Sequence, residues 1–507
     1  MDKDTIDAAK SIPTFYAGQS IFLTGATGFL GKVFIEKILR CCPNIGEIFI
    51  LMRPKKGLSL NERLEKMLNL PIYDKLREEQ PSNFRKLIAI SGDISQENLG
   101  LSAVDRQILI ERVTIIIHNA ASVKFNDSLK YAILTNTRST RDICILAENM
   151  KNLIALVYVS TAFAHLENPF IEEKVYPPIA DWRKLIKVAE TLDEHILNVF
   201  TAKCLDKIPN TYIFSKKLSE SIIQEYSAAL PCAIVRPSIV ISSLKDPIPG
   251  WIDNFNGPIG LLCFAGTGLL RLLYGSKYIP QNMIPVDTVI DTIILVIWKL
   301  GLITLTPEST CFVVNCTFPD ENNISLQELV NRGGKILIKI PFEVYFWTIT
   351  SFITESAIMH YVLTILWHII PAIILDSVLK FSGRQPMILK LQRKAYIANR
   401  ILQHFLCNKW KFDNTNSKYL MSLIPSDNRE MFSIDLSDMD ITKYMRNEAI
   451  GMKKYLLHED MNRLNAAIAH RKSMSIYFIQ NVLHNYIEKV HFYLKKIILI
   501  LKFVLKN

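Results

Sequence analysis

Residues 20–39 read SIFLTGATGFLGKVFIEKIL, and this stretch sets the fold class of the chain. Ile21, Phe22 and Leu23 form a short apolar run of buried-strand type. Gly25, Gly28 and Gly31 follow, and Val33, Phe34, Ile38 and Leu39 then recur at helical spacing. The unit is strand, glycine turn, helix. Glycine lets the backbone turn tightly and approach a ligand with no side chain between, while the helix opening there aims free N–H groups and its positive dipole end at negative charge. The spacing is GxxGxxG, which departs from the GxGxxG dinucleotide fingerprint, and it marks a place for a diphosphate.

The next apolar run, Ile48–Met52, ends in Arg53, with Lys55 and Lys56 just beyond. An NAD-selective site carries an acid near this point to bind the ribose 2′-hydroxyl. Cations suit a 2′-phosphate, so NADPH is the expected cofactor. The charged stretch 60–86 is expected to be helical. Four further strands are read in KLIAISGD (86–93), VTIIIHNAAS (113–122), LIALVYVSTA (153–162) and CAIVRPSIV (232–240). Asp93 ends the first of these, where its carboxylate could reach an adenine amine. Asn119, Ala120 and Ala121 follow the second, where small residues let the backbone run beside a cofactor. This strand–helix alternation predicts an α/β, Rossmann-type doubly wound parallel sheet with helices on both faces, and ligands at the carboxyl ends of the strands.

The 507 residues suffice for such a domain and at least one more. Residues 1–340 are expected to hold the cofactor-binding reductase domain, 341–470 a helical C-terminal domain, and 471–507 a basic membrane-associating tail. A formal charge of +11 fits nucleotides, acyl carriers or an anionic membrane surface. No zinc-finger spacing or RNA-binding aromatic motif favours nucleic acid. Nine cysteines, scattered and without a CxxC pair, argue for a reduced compartment and against a metal site. The N-terminus mixes both charge signs without a long apolar core, so a cytosol-facing catalytic part is expected. Residues 356–375 contain no charged side chain and are long enough to cross a bilayer. His360, His368 and Pro371 interrupt them, which ranks a buried or interfacial helical hairpin above a span. In the closing KVHFYLKKIILILKFVLKN, lysines accompany apolar residues without an acid, as in a helix lying on an anionic membrane.

The chemistry is read in NTYIFSKKLSESIIQEYS (210–227), a helical pattern with Tyr212 and Lys216 four residues apart and therefore on one face. An ammonium there is expected to depress the phenol's pKa from about 10 and let Tyr212 exchange a proton with a substrate oxygen. Lys216 could also hold a nicotinamide ribose. Ser160 and Thr161 end the fifth strand, where either hydroxyl could meet the same oxygen.

Together these residues resemble an extended short-chain dehydrogenase/reductase. More narrowly, TGATGFLGKVFIEKIL, LMRPKKG, HNAASVKF, YVSTAF, NTYIFSKKLSE, VRPSIV and PIPGWIDNFNGPIG are similar to the fatty acyl-CoA reductases that make fatty alcohols. IPVDTVID, NCT at Asn315 to Thr317, HIIPAIILD ending at Asp376, KWKFDN and MKKYLL extend the similarity in order along nearly the whole chain. The resemblance implies NADPH-dependent reduction of a long-chain acyl-CoA to a primary alcohol, through a bound aldehyde and with release of coenzyme A. It assigns Tyr212, Lys216 and Thr161 to catalysis, with Ser160 as the alternative hydroxyl. It places Thr24, Gly25, Thr27, Gly28, Phe29, Leu30, Gly31, Arg53, Lys55, Asp93, Ile94, Asn119, Ala120, Ala121, Tyr212, Lys216, Pro237, Ser238 and Ile239 around the cofactor. Asn136 resembles the asparagine that shapes the active site in related folds, with a helix-surface residue as the alternative. The segment between Thr161 and Tyr212 could form a lid over a chain-shaped ligand. Endoplasmic reticulum or peroxisome would match the resemblance. A reductase or epimerase of sterols or nucleotide sugars, and a non-catalytic cofactor-binding membrane scaffold, are the competing readings; the first leaves the C-terminal similarity unexplained, and the second has no need of Tyr212 and Lys216.

Overall fold

The computed structural model describes residues 11–55, 57–303, 311–319, 323–347 and 351–473. The opening stretch folds as read: β1 (Ile21–Thr24), then a turn through Gly25 and Gly28, then α1 (Phe29–Cys41). Six more strands complete one sheet: β2 (Ile48–Met52), β3 (Leu87–Ser91), β4 (Ile115–His118), β5 (Ala155–Val159), β6 (Cys232–Pro237) and β7 (Phe312–Cys316). Their spatial order is β7-β6-β5-β4-β1-β2-β3 and every pairing is parallel. The edge strand β7 is a seventh where six were read; its apolar run, Phe312 to Val314, is short and follows a long helix.

Strand periodicity sends alternate side chains to opposite faces. Phe22, Phe49, Ile116, Leu156, Ile234 and Val313 join one buried cluster with Ile143 and Leu146 of α2 (Ser139–Glu148) and with Leu218 and Ile222 of α3 (Thr211–Tyr226). The intervening Leu23, Ile50, Ile117, Val157, Val235 and Val314 are equally buried on the other face, where α4 (Val286–Ile303) packs on β5, β6 and α1. Sheet order reverses between β1 and β4, and Ile21 is in register with both Ile48 and Ile115. That reversal opens the crevice in which a doubly wound sheet binds its ligand.

The charged stretch 60–86 is not one helix. It breaks into Leu60–Leu68, Pro71–Tyr73, Asp74–Glu79 and Pro81–Lys86, because Pro71 and Pro81 each lack the N–H that would continue the preceding turn.

Two compact units interleave along the chain, whereas contiguous domains divided near 340 and 470 were expected. One unit comprises Met1–Asp253, Pro280–Ile324 and Lys409–Glu448; the other comprises Asn254–Ile279, Ser325–Asn408 and Ala449–Asn507. The second unit contains α5 (Ala357–Phe381) and α6 (Ile388–Cys407). The apolar stretch is thus a single helix, and its hairpin partner is α6, which lies outside that stretch. A π-turn at Ile365–Ile369 re-registers the backbone just ahead of Pro371, so the helix continues through the proline. Asp376 accepts backbone N–H groups from Met387, Ile388 and Leu389 at 2.8–2.9 Å and so caps α6. The tail expected to bind membrane lies outside the described residues from 474 onward.

Candidate active site

All elements of the site belong to the first unit. Gly25 has φ +76°, and a Cβ built on it would lie 2.9 Å from Ala120 N. A Cβ on Gly31 would lie 2.3 Å from Gly25 O. The turn therefore seats β1 against the loop after β4 and α1 against the turn, by backbone contact alone. Thr27 and Gly28 are exposed, and no side chain caps α1, so the N–H groups of Phe29, Leu30 and Gly31 open its first turn. This backbone cradle fits a dinucleotide diphosphate. Thr24, by contrast, is fully buried. Its hydroxyl accepts from Ala120 N at 3.1 Å and lies 2.9 Å from His118 Nδ1, so it clamps β1 to β4.

His118 was not singled out in the sequence. Burial, with the Lys216 ammonium adding to it, holds its pKa down to about 3 and keeps the ring neutral. Asn119, Ala120 and Ala121 follow, each half-buried. Asn136 is buried inside a π-turn, Ile133–Arg138, and is not a helix-surface residue. Its Oδ1 accepts from Ser122 N at 2.8 Å, and its Nδ2 donates to Ser122 O at 3.1 Å and to Ser215 Oγ at 2.9 Å. Its own carbonyl accepts from the hydroxyls of Thr140 and Ser219. One side chain thus ties the β4 loop to α3.

At the end of β2, Arg53 and Lys55 are exposed. Arg63 hydrogen-bonds the Arg53 carbonyl and adds a cation that sequence reasoning missed. Its signal was the Ser59/Glu62 capping box, which fixes the helix start four residues earlier. Lys56 lies outside the described residues. Asp93 Oδ1 receives the N–H and hydroxyl of Ser95, each at 2.9 Å, and Ile94 beside it is half-buried. Pro237 ends β6, Ile239 is half-buried, and the buried Ser238 Oγ has no partner among the described residues.

α3 begins at Thr211 because Asn210 caps Ile213 N at 2.9 Å and Thr211 Oγ1 donates to Asp127 O at 2.9 Å. Tyr212 stacks on Phe125 with ring centroids 5.6 Å apart. The Thr161 side chain is the neighbour that acts on its hydroxyl. The expected depression of its pKa is absent: burial pushes the phenol up to about 12, and Thr161 only partly offsets this. Lys216 does not reach the phenol. Its Nζ donates to Val159 O at 2.7 Å and lies 4.7 Å from the Tyr158 ring centroid. Burial pulls it down to about 7, against the field of Glu220.

Ser160 and Thr161 have separate fates. Ser160 Oγ donates to Glu220 Oε1 at 2.5 Å, whereas Thr161 is the hydroxyl beside Tyr212. Glu220 is also held by Arg236, Nε to Oε1 at 2.9 Å and Nη2 to Oε2 at 2.6 Å, and by His165 Nε2 at 2.8 Å. These partners keep its carboxyl well below the usual range despite full burial. Arg236 further donates to the carbonyls of Glu172 and Lys174. Arg236 interrupts the apolar run CAIV, which was the available signal for it; Glu220, among Lys217, Ser219 and Ser221, carried none. Between Thr161 and Tyr212 the insertion forms the helices Trp182–Thr191 and Glu194–Leu205. No cluster among the described residues could hold a metal ion.

Two family models, both described as "Male sterility protein", match the chain, an NAD-binding one over residues 23–293 and a second over 367–459. Fatty acyl-CoA reductase 1 of Xenopus laevis is 38% identical over 460 residues, spanning 91% of this chain and 89% of that protein. The Homo sapiens protein of the same name matches to the same extent, and the Drosophila melanogaster "Fatty acyl-CoA reductase wat" is 33% identical over 462 residues, again 91% and 89%. Among solved structures, the terminal R domain of a myxalamid biosynthetic pathway superposes with a TM-score of 0.56 at 19% identity, covering 86% of this chain and 91% of that one. A Mycobacterium tuberculosis nonribosomal peptide synthetase reductase domain gives 0.53 at 17%, covering 89% and 96%. These two likenesses concern the fold.

Proposed function

From the premise that the chain belongs to the fatty acyl-CoA reductase family, we propose that it reduces long-chain fatty acyl-CoA to the primary fatty alcohol with NADPH, releasing coenzyme A through a bound aldehyde. The single observation that carries this reading is the Tyr212–Thr161 hydroxyl pair at the carboxyl end of β5, with Lys216 one helical turn further along α3. NADPH supplies the hydride, two equivalents for each alcohol.

The chain's own residues do the rest. Gly25, Gly28 and Gly31 leave room for the diphosphate, and the open N-terminus of α1 meets its charge. Arg53, Lys55 and Arg63 offer cations to a 2′-phosphate. Tyr212 donates a hydrogen bond to the thioester carbonyl oxygen as negative charge grows there, and Thr161 completes the donor set. Fixed donors at a developing oxyanion give the largest electrostatic benefit. Collapse of the tetrahedral adduct breaks the C–S bond and expels the thiolate of coenzyme A. In the second round Tyr212 gives its proton to the alkoxide. A phenol pushed up to about 12 remains protonated at neutral pH and so starts each round as a donor. Lys216 binds the nicotinamide ribose. The helices Trp182–Thr191 and Glu194–Leu205 cover the acyl chain.

Incubating purified protein with NADPH and a panel of acyl-CoAs, then analysing the lipids, tests the proposal. Primary alcohol with two NADPH consumed is the expected result. Free aldehyde alone would sink the four-electron reading, and an absence of acyl-CoA-dependent NADPH oxidation would overturn the substrate. We also read the protein as membrane-associated, with the catalytic unit facing the cytosol at the endoplasmic reticulum or peroxisome; fractionation with protease protection checks this.

A further inference from the structure

The helix α5 is long and apolar enough to cross a membrane by length and composition. Its two sides are unlike. His360, Thr364, His368 and Ala372 recur every fourth residue and are all buried. His360 Nε2 accepts from Asn399 Nδ2 of α6 at 3.2 Å, and His368 Nε2 accepts from Arg271 N–H, beside the short strand Leu272–Tyr274, at 3.2 Å. Ala372 packs with Ile388 of α6 and with Leu269. Bonds and packing therefore hold the helix against its own unit over much of its length. On the other side Ile358, Tyr361, Leu366, Ile374, Val378 and Phe381 are exposed, Ile358 by 79% and Phe381 by 93%.

We propose that α5 lies in the plane of an anionic membrane surface, with its exposed apolar side in the lipid, and does not cross the bilayer. The proposal deepens the membrane reading above and rests on it for the presence of a bilayer. Two observations choose the occupant. Lys380, Arg384, Lys390, Arg393, Lys394 and Arg400 are exposed at the end of α5 and along α6, while Asp376 is the one acid between 357 and 400 and is committed to capping α6. That charge complements anionic headgroups. The exposed face also carries Tyr361 and Trp367, the amphipathic aromatics that sit at headgroup level. A crossing helix would have to drag the charges of α6 into hydrocarbon, or break the two histidine bonds and leave buried polar groups unpaired. In-plane docking needs neither. A helix of this kind presents one apolar side to the acyl boundary and keeps its polar partners on the protein.

The test uses the full chain with vesicles of phosphatidylcholine and phosphatidylserine carrying bromine either near the headgroup or at the bilayer centre. The fluorescence of Trp367, isolated as the difference from Trp367→Phe, is expected to be quenched at least twice as strongly by the shallow bromines. Stronger quenching from the centre would mean a span and overturn the proposal. Vesicle binding without quenching of Trp367 would overturn it too, with residues 474–507 or a second copy of the chain covering the face. Absence of vesicle binding would sink the broader membrane reading as well. The double variant Ile374→Glu/Phe381→Glu, both exposed sites, is expected to lose the quenching while NADPH binding reports an intact fold. Unchanged quenching in that variant would also refute the proposal.

Discussion

Tyr212 and Lys216 share a helix face, yet they have different neighbours: the Thr161 side chain acts on the phenol, and the ammonium donates to the Val159 carbonyl. Tyr212→Phe keeps the Phe125 stack and removes the donor. It should cut kcat by about 10²–10⁴-fold, the usual span for a lost general acid, while NADPH binding measured by fluorescence titration stays near wild type. Wild-type turnover would remove Tyr212 from the mechanism. Lys216 sits down at about 7 under burial, so it carries its proton below that pH and loses it as pH rises. If the ammonium holds the ribose, kcat/KM for NADPH falls along an alkaline limb starting near pH 7. The Glu220 carboxylate favours the ammonium, so Glu220→Gln should move that limb to lower pH; a limb that stays in place would dissociate Lys216 from it. Glu220→Ala is a different experiment, because it strands the Arg236 guanidinium in the core. Breaking one side of a buried pair costs about 3–5 kcal/mol, readable as a lowered urea midpoint, and Glu220→Leu with Arg236→Met should recover most of it. Strand position and side-chain type do not separate Ser160 from Thr161; only the family resemblance ranks Thr161 first. Consecutive side chains leave an extended backbone in opposite directions, and only the surrounding elements decide which direction leads to Glu220 and which to Tyr212.

Among the elements, the β1–turn–α1 unit was legible almost residue by residue, since glycines and apolar spacing act over a few positions. Gly31→Ala would drive a methyl to 2.3 Å from Gly25 O and 2.6 Å from Ala26 Cα. Backbone cannot yield as a side chain does, so α1 must shift away from the turn. About 1–3 kcal/mol of stability and at least a tenfold loss in NADPH affinity are expected, measured by thermal unfolding and titration. In the β2 loop, Arg53→Ala should reduce the preference for NADPH over NADH by about tenfold, ~1.4 kcal/mol, in paired kcat/KM measurements. An unchanged preference would pass the role to Lys55 and Arg63. The stretch 60–86 shows the limit of reading charge pattern without punctuation, for two prolines divide what periodicity alone joins. In α5 the punctuation misleads in the opposite sense. Pro371 suggested an interruption, and a π-turn absorbs it.

At the scale of the molecule, the excess of positive charge and the one-sided α5 make one joint prediction. Binding to phosphatidylserine vesicles should weaken as salt rises, because screening shortens the reach of exposed cations, and should leave a salt-resistant remainder from the apolar face. Co-sedimentation across a salt series checks it; binding indifferent to salt would remove the electrostatic part. The two interleaved units were hidden from a linear reading. Residues 409–448 return to the first unit, where Asn315 Nδ2 donates to Ile171 O at 3.0 Å and to Asp413 O at 2.9 Å. Such a return has no local signature, since its contacts lie about a hundred or more residues away in sequence.

The sequence by itself determined what short-range physics controls: the strand–turn–helix unit, the parallel α/β class, the cationic loop after β2 and the placement of Tyr212 and Lys216 on one helix face. Tertiary structure decided the seventh strand, the buried Glu220–Arg236 pair, the hydrogen bonds of Ser160 and Thr24, and the upward shift of the Tyr212 phenol. The reason is common to all of these. Backbone preference and periodicity are properties of neighbours in the chain, whereas desolvation, hydrogen-bond partners and Coulomb fields depend on neighbours in space, which the chain acquires only when it is folded.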